Sequence, residues 1–427
     1  MLSTYQQALD YLYANLPMFQ RIGAAAFKKD LTNTIKLCNA LGNPQQKFKT
    51  IHVAGTNGKG SSSHMLASIL QEANYTTGLY TSPHLKSFTE RIRINGDEVD
   101  ESFVVDFVNR IQPQIEEIKP SFFEITVAMA FDYFALKKVD VAVIEVGLGG
   151  RLDSTNIITP KVSLITNIGW DHKDLLGDTL EKIAYEKAGI IKPGVPVVIS
   201  ERQPGIEDVF MAKARETNSR ITFASDHFNS SVVKGKRQVR KDGVVVLDKV
   251  DFPLMGNYQS QNIKGVVCTV DVLRQLEFNI PDRAVMDGLQ NVITNTHLKG
   301  RWQKLREKPL MICDTGHNLD GITEVLQQLH ETPHRQLHFV FGVVKDKTID
   351  EILTILPKDA TYYFCQAKLP RALDAAALAK KAREFGLQGT VIPDVNEAKN
   401  LALKNASEND LIFIGGSTFV VAEINEL

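Results

Sequence analysis

Residues 55–61 read Gly-Thr-Asn-Gly-Lys-Gly-Ser, within "TIHVAGTNGKGSSSHML". Gly55, Gly58 and Gly60 permit positive φ and close backbone approach to a ligand, and Lys59 supplies a point charge suited to terminal phosphates. Ser61 and Ser62 are placed to reach a metal or a phosphate. The common phosphate-loop pattern has four free residues between its first glycine and Gly-Lys-Ser/Thr, whereas here only Thr56 and Asn57 separate Gly55 from Gly58. An anion cradle and a ligand-free glycine turn therefore compete.

Chemistry on a nucleoside triphosphate also needs Mg²⁺, a hard cation held by one or two carboxylates together with phosphates and water. Glu145 closes the apolar run "VDVAVIE" and precedes the flexible "VGLGGRLDSTN". His172, in "TNIGWDHKDLLG", follows the next apolar run in the same way. In open α/β sheets ligands bind where strands end, so both are candidates, against the alternatives of a solvated glutamate and a structural histidine. Lys187, in "EKIAYEKAGIIKPG", reads as a surface lysine on a helix.

The elements that must position these groups are legible as an alternation. "FKTIHVAG", "TTGLYTS", "VDVAVIEVGLGG", "KVSLITNIG" and "VPVVIS" are β-branched runs, separated by helical patterns such as "SSSHMLASILQEAN" and "SFFEITVAMAFDYFALKK". Apolar runs without polar alternation, divided by helices, predict a largely parallel sheet covered on both faces. Residues 228–255 carry Asp-Gly and short alternating strands, which predicts a small antiparallel region. The alternation restarts with "KPLMICD", "QLHFVFGVV", "ATYYFCQ", "GTVIPD" and "DLIFIGGS", a second α/β unit beginning near residues 295–303.

The 427 residues, 43% hydrophobic and 23% charged, exceed what one core usually serves. A net charge of -1 supplies no global field toward nucleic acid or an anionic membrane. No window approaches the roughly 20 apolar residues of a spanning helix. The N-terminus lacks a basic, then apolar, leader and reads as an amphipathic helix through Tyr5, Leu9, Leu12 and Leu16. The four cysteines, Cys38, Cys268, Cys313 and Cys365, lie far apart, so a reducing cytoplasm is expected and a disulfide scaffold or zinc knuckle is not.

Taken in order, "HVAGTNGKGSSS", "TSPHLKSFTERIRING", "FFEITVAMAF", "EVGLGGRLDSTN", "TNIGWDHKDLLGDTLEKIAYEKAGIIKPGVPVV", "GRWQ", "DTGHNLDG" and "GGSTFVVAEI" resemble the signatures of the folylpolyglutamate synthase/dihydrofolate synthase family, within the Mur ligase superfamily. The resemblance implies an α/β chain with an N-terminal P-loop ATPase domain over residues 1–298 and a C-terminal Rossmann-like glutamate-ligase domain over 299–427. It implies an ATP loop at Gly55, Thr56, Asn57, Gly58, Lys59, Gly60 and Ser61, with further ATP contacts at Asn262, Arg301 and Asp314; His317 is a weaker candidate. Ser82, Glu145 and His172 match Mg²⁺ positions for one or two ions, and Lys187 matches a lysine that becomes carbamylated. Phe122, Phe123, Glu124, Ile125, Leu152, Asp153 and Ser154 match dihydropteroate-binding segments, with "RIGAA", residues 21–25, as a further loop.

The implied activity is ATP-dependent addition of L-glutamate to folate, and to dihydropteroate, through an acyl phosphate. A monomer is expected, with no nucleic-acid or membrane partner. Competing readings are a folylpolyglutamate synthase alone, a Mur-type cell-wall peptide ligase and a nucleotide switch. The cell-wall reading lacks a nucleotide-sugar domain before Thr50, and the switch lacks an Asn-Lys-x-Asp motif.

Overall fold

The computed structural model describes residues 1–18, 23, 30–345 and 349–427. The "RIGAA" segment, apart from Gly23, lies outside them. The chain divides into two compact units, one of residues 1–253 and 259–297, the other of 254–258 and 298–427.

The first unit is built on an eight-stranded sheet: β1 Lys49–Ala54, β2 Thr77–Tyr80, β3 Ile92–Ile94, β4 Asp97–Glu98, β5 Val141–Glu145, β6 Val162–Ile165, β7 Val197–Ile199 and β8 Ile221–Phe223, in the order β4-β3-β2-β5-β1-β6-β7-β8. From β2 through β8 every pairing is parallel, while β3 and β4 add an antiparallel edge that the apolar runs do not announce. These central strands are buried throughout, as a sheet covered on both faces requires. The Phe122–Leu136 helix packs with the Tyr5–Asn15 and Glu101–Ile118 helices around Ala142 and Ile144 of β5. Its apolar residues run round the whole circumference, consistent with its burial. The other face receives the Lys59–Glu72 and Gln259–Gln275 helices.

The Lys59–Glu72 helix meets the Asp282–Gln290 helix at backbone distance. A Cβ added to Gly288, in the Asp282–Gln290 helix, would lie 2.5 Å from Ile69 Cα, and Ser68 Oγ donates to Gly288 O at 2.6 Å. Gly288→Ala is expected to destabilise the unit by about 1–3 kcal/mol through overpacking. An unchanged urea midpoint would show that the helices do not approach this closely.

The appended region is antiparallel as its Asp-Gly turn suggests: β9 Phe228–Val233, β10 Lys236–Lys241 and β11 Val244–Val250, in the order β11-β10-β9. The second unit contains β12 Gln303–Arg306, β13 Leu310–Cys313, β14 Leu337–Phe341, β15 Thr361–Phe364, β16 Gly389–Val391 and β17 Leu411–Gly415, in the order β12-β13-β17-β14-β15-β16. Only β12 is antiparallel. Stacked Phe339, Tyr362 and Phe364 rings lie in its core. No helix among the described residues is long and apolar enough to cross a membrane.

Candidate active site

β1 delivers the chain into the glycine loop at Ala54, and the Lys59–Glu72 helix begins directly after it. Gly55 has φ 145° and Gly58 φ 85°. A Cβ on Gly55 would fall 1.8 Å from Thr166 Oγ1, and one on Gly58 2.1 Å from Asn262 Oδ1. The glycines are therefore required by neighbouring side chains as well as by backbone angle. Unpaired N–H groups of the first helical turn, including that of Gly60, and the helix dipole make the loop an anion cradle. Lys59 Nζ donates to Gly55 O at 3.1 Å and Thr56 O at 3.0 Å, holding its charge over the loop.

The loop is stitched to the segment after β6. Thr56 N donates to Asn167 O at 2.8 Å, Asn57 N to Asn167 Oδ1 at 2.8 Å, and Thr166 Oγ1 to Asn57 O at 2.6 Å. Thr166 and Asn167 thus shape the cradle, a role no motif spacing had marked. Ser61 Oγ accepts from Gln259 Nε2 at 3.1 Å, and Gln259 Oε1 accepts from Asn262 Nδ2 at 2.8 Å. Asn262 is brought to the loop across about 200 residues by this Gln259 bridge and by its packing on Gly58.

Register brings the other candidates to the same edge. Val53 is opposite Glu145, Ile144 is opposite Tyr80, and Ala54 is opposite Ile165. Ser82, Glu145, Gly55 and the His172 segment consequently leave four adjacent strands at their C-terminal ends. Glu145 is 5% exposed, and its Oε2 accepts from Ser82 N at 3.2 Å. His172 has φ 46° at the start of the Lys173–Leu176 turn, with Nε2 3.6 Å from Asp171 Oδ1. Among the described residues no three His, Cys, Asp or Glu side chains form a metal cluster. One buried carboxylate beside a serine and an anion cradle instead suits Mg²⁺, which keeps waters and borrows phosphate oxygens.

Lys187 is where the surface reading gives way. In the Leu180–Ala188 helix it is 2% exposed, and Nζ donates to Gly55 O at 2.8 Å. Burial pushes its amine down to about 7, the Lys59 charge adds to this, and Asp171 and Asp153 oppose it. What buries it is the loop after β5, lying against the helix end. A Cβ on Gly150 would sit 2.9 Å from Glu186 O, and one on Gly189 2.4 Å from Arg151 Cα. The paired small residues in "GLGG" and "KAG" were the available signal.

The two segments matched to the acceptor also come together. Gly147 lies between them, since its added Cβ would be 2.4 Å from the Phe123 ring and 3.2 Å from Asp153 Oδ2. Phe122 and Ile125 are buried in the core, whereas Phe123, Leu152 and Ser154 are half-buried. Glu124 Oε2 accepts from Ser121 N at 2.6 Å and Ser121 Oγ from Glu124 N at 3.3 Å, a capping box that starts the helix. Asp153 is 2% exposed and accepts from Leu148 N at 2.8 Å and Thr155 N at 3.0 Å; burial raises its carboxyl against these hydrogen bonds.

In the second unit, Asp314 follows β13 and accepts from Tyr258 hydroxyl at 2.6 Å, Trp302 N at 2.6 Å and Gly316 N at 2.7 Å. Arg301 is half-buried and donates to Gly300 O at 3.3 Å, and His317 Nδ1 lies 3.0 Å from Thr315 O.

The Mur ligase middle domain family matches residues 53–270, and the Mur ligase glutamate ligase domain family matches residues 300–418. The chain is 32% identical to the folylpolyglutamate synthase of Lacticaseibacillus casei, over 99% of this chain and 98% of that protein. It is also 32% identical to the dihydrofolate synthase/folylpolyglutamate synthase of Bacillus subtilis, over 100% of this chain and 99% of that one. Among solved structures, the folylpolyglutamate synthase of Mycobacterium tuberculosis complexed with ADP superposes with a TM-score of 0.87 at 31% identity, covering 98% of this chain and 96% of that chain. Escherichia coli FolC in complex with DHPP and ADP gives 0.84 at 27% identity, with coverage of 98% and 96%. With its glycine loop, strand-end carboxylate and both domain matches in one chain, this protein belongs to the folylpolyglutamate synthase/dihydrofolate synthase family of the Mur ligase superfamily.

Proposed function

We propose that the chain is an ATP-dependent ligase that adds L-glutamate to folate and to dihydropteroate. The observation that carries the reading is the convergence of the Gly55–Ser61 cradle, Glu145, Ser82 and buried Lys187 at one sheet edge. The cradle binds the phosphates of ATP, and Asn262 holds Gly58 where its N–H can face them. Residues 1–298 form the ATP-binding domain and 299–427 the glutamate-ligase domain, which carries Arg301 and Asp314 as ATP-binding residues. Phe123, Leu152 and Ser154 offer accessible contacts to the acceptor, while Phe122, Glu124, Ile125 and Asp153 shape the pocket from beneath.

The acceptor carboxylate is a poor acyl donor, so its oxygen attacks the γ-phosphorus and ADP leaves, giving an acyl phosphate. The glutamate amine then attacks the acyl carbon, phosphate departs, and an amide remains. Lys59 offsets charge on the transferring phosphoryl, where positioning and electrostatics dominate. Ser82, Glu145 and His172 would hold Mg²⁺, which supplies Lewis-acid stabilisation of the phosphate oxygens. Lys187, carbamylated, adds a carboxylate where an unmodified lysine offers only donors. The protein acts as a monomer in the cytoplasm.

The experiment is glutamate-dependent ADP release with dihydropteroate and tetrahydrofolate measured side by side. Turnover with both is expected. Turnover with tetrahydrofolate alone would leave a polyglutamylating enzyme only, and turnover with UDP-linked peptides but neither pterin would overturn the reading.

A further inference from the structure

His52 sits in the middle of β1, fully buried, and takes no part in the chemistry above. Its Nε2 lies 2.9 Å from Thr155 Oγ1, while Nδ1 has no hydrogen-bond partner among the described residues. Thr155 has one hydroxyl proton, which it gives to Asp153 Oδ1. The hydroxyl must therefore accept from His52, and this fixes the histidine as its Nε2–H tautomer. The opposite oxygen of Asp153 accepts from Leu148 N at 2.8 Å.

The chain of donors thus runs from the strand that feeds the glycine loop to the loop that follows Glu145. The same loop is braced from its other side: Arg151 N donates to Glu186 O at 2.7 Å, and Asn156 Nδ2 to Gly189 O at 3.0 Å, on either side of Lys187. A buried polar chain is costly unless every link is satisfied, and the bare Nδ1 shows that packing alone does not explain a histidine here. A leucine or valine would fill β1 without an orphaned nitrogen.

We propose that His52, Thr155 and Asp153 form a positioning relay that sets residues 147–157, and through them the half-buried Leu152 and Ser154, for the acceptor. The relay's effect on acceptor binding rests on the acceptor assignment above; its hold on the loop does not. Thr155→Val keeps the shape and removes the hydroxyl, and Thr155→Ser restores it. In the free protein, hydrogen exchange at the Leu148 amide is expected to quicken at least tenfold in Thr155→Val and return toward the parent rate in Thr155→Ser. The KM for dihydropteroate should rise about tenfold in Thr155→Val while that for ATP stays within about twofold, a split a general loss of stability does not give.

Parent-like exchange at Leu148 in Thr155→Val, or equal damage in Thr155→Ser, would overturn the relay. Altered exchange with an unchanged acceptor KM would reject its role in acceptor positioning. Failure of the acceptor assignment itself is seen separately, as Leu152→Ala and Ser154→Ala proteins with unchanged KM for dihydropteroate.

Discussion

Lys59→Met is expected to lower glutamate-dependent ADP release by about 10²–10³-fold, the range for removing one preorganised stabilising group from a charge-developing site. Methionine matches lysine in helix propensity and in stem length, so the Lys59–Glu72 helix should start as before. What disappears is the cation. In its present position Nζ donates to Gly55 O and Thr56 O, so it already lies over the cradle. Without it, Thr56 O loses its lysine donor, while Gly55 O keeps the one from Lys187. The effect should appear in kcat with either acceptor, because the carboxylate of each must pass through the same phosphoryl transfer before the glutamate amine attacks. A Lys59→Met protein that turned over within a few-fold of the parent would remove Lys59 from the reaction.

The short loop spacing, which made this lysine ambiguous as a phosphate-loop residue, has a physical explanation in the fold. A longer loop can close over phosphates using its own backbone. Here much of the wall is external: Thr166 and Asn167 arrive from the segment after β6, and Asn262 from a helix near residue 260. The glycines, lysine and helix start were legible because they are contiguous. The wall was not, because parallel pairing of β1 with β6 and the return of the Gln259–Gln275 helix bring it together only in three dimensions.

The same distinction runs through the rest of the chain. Parallel strands were readable as unbroken apolar runs, and the Asp-Gly turn disclosed the antiparallel appendage. The short strands β3, β4 and β12 carry arginine, aspartate, glutamate, lysine and glutamine, and so leave no apolar run to read. Glu124 illustrates a second limit. In "SFFE" the serine and the glutamate three residues later are a helix-start signal, and the structure uses them as one. A motif residue can thus be retained for its cap while Phe123 beside it reaches Gly147.

Lys187 is the clearest case of a group whose chemistry only burial reveals, and its replacement carries the second large effect. Lys187→Met is expected to cost about 10–100-fold in activity, the range for losing a group that orients a metal site. An ordinary lysine amine near 10.5 is almost wholly protonated at neutral pH and cannot attack CO2. Burial and the neighbouring Lys59 charge bring this one to about 7, so a large neutral fraction is available. Its nitrogen lone pair can form the N–C bond to CO2 and release a proton, leaving a carbamate anion. The relation with Lys59 then changes sign, from repulsion between cations to attraction, which favours the modified state.

Two measurements follow from these signs. Labelled 13C bicarbonate should give a carbamate resonance in the parent that is missing in Lys187→Met, and removal of dissolved CO2 should depress activity in the parent alone. For the unmodified amine in CO2-free buffer, the folded value lies below the unfolded one, so the unfolded chain binds the extra proton between about 7 and 10.5. Stability relative to Lys187→Met should therefore rise with pH across that window and stay level below it. A parent whose stability difference from the variant was flat from neutral to alkaline pH would mean that Lys187 keeps its proton on folding. Carbamylation would then lack its neutral nucleophile, and Glu145 would be the acidic group left to the site.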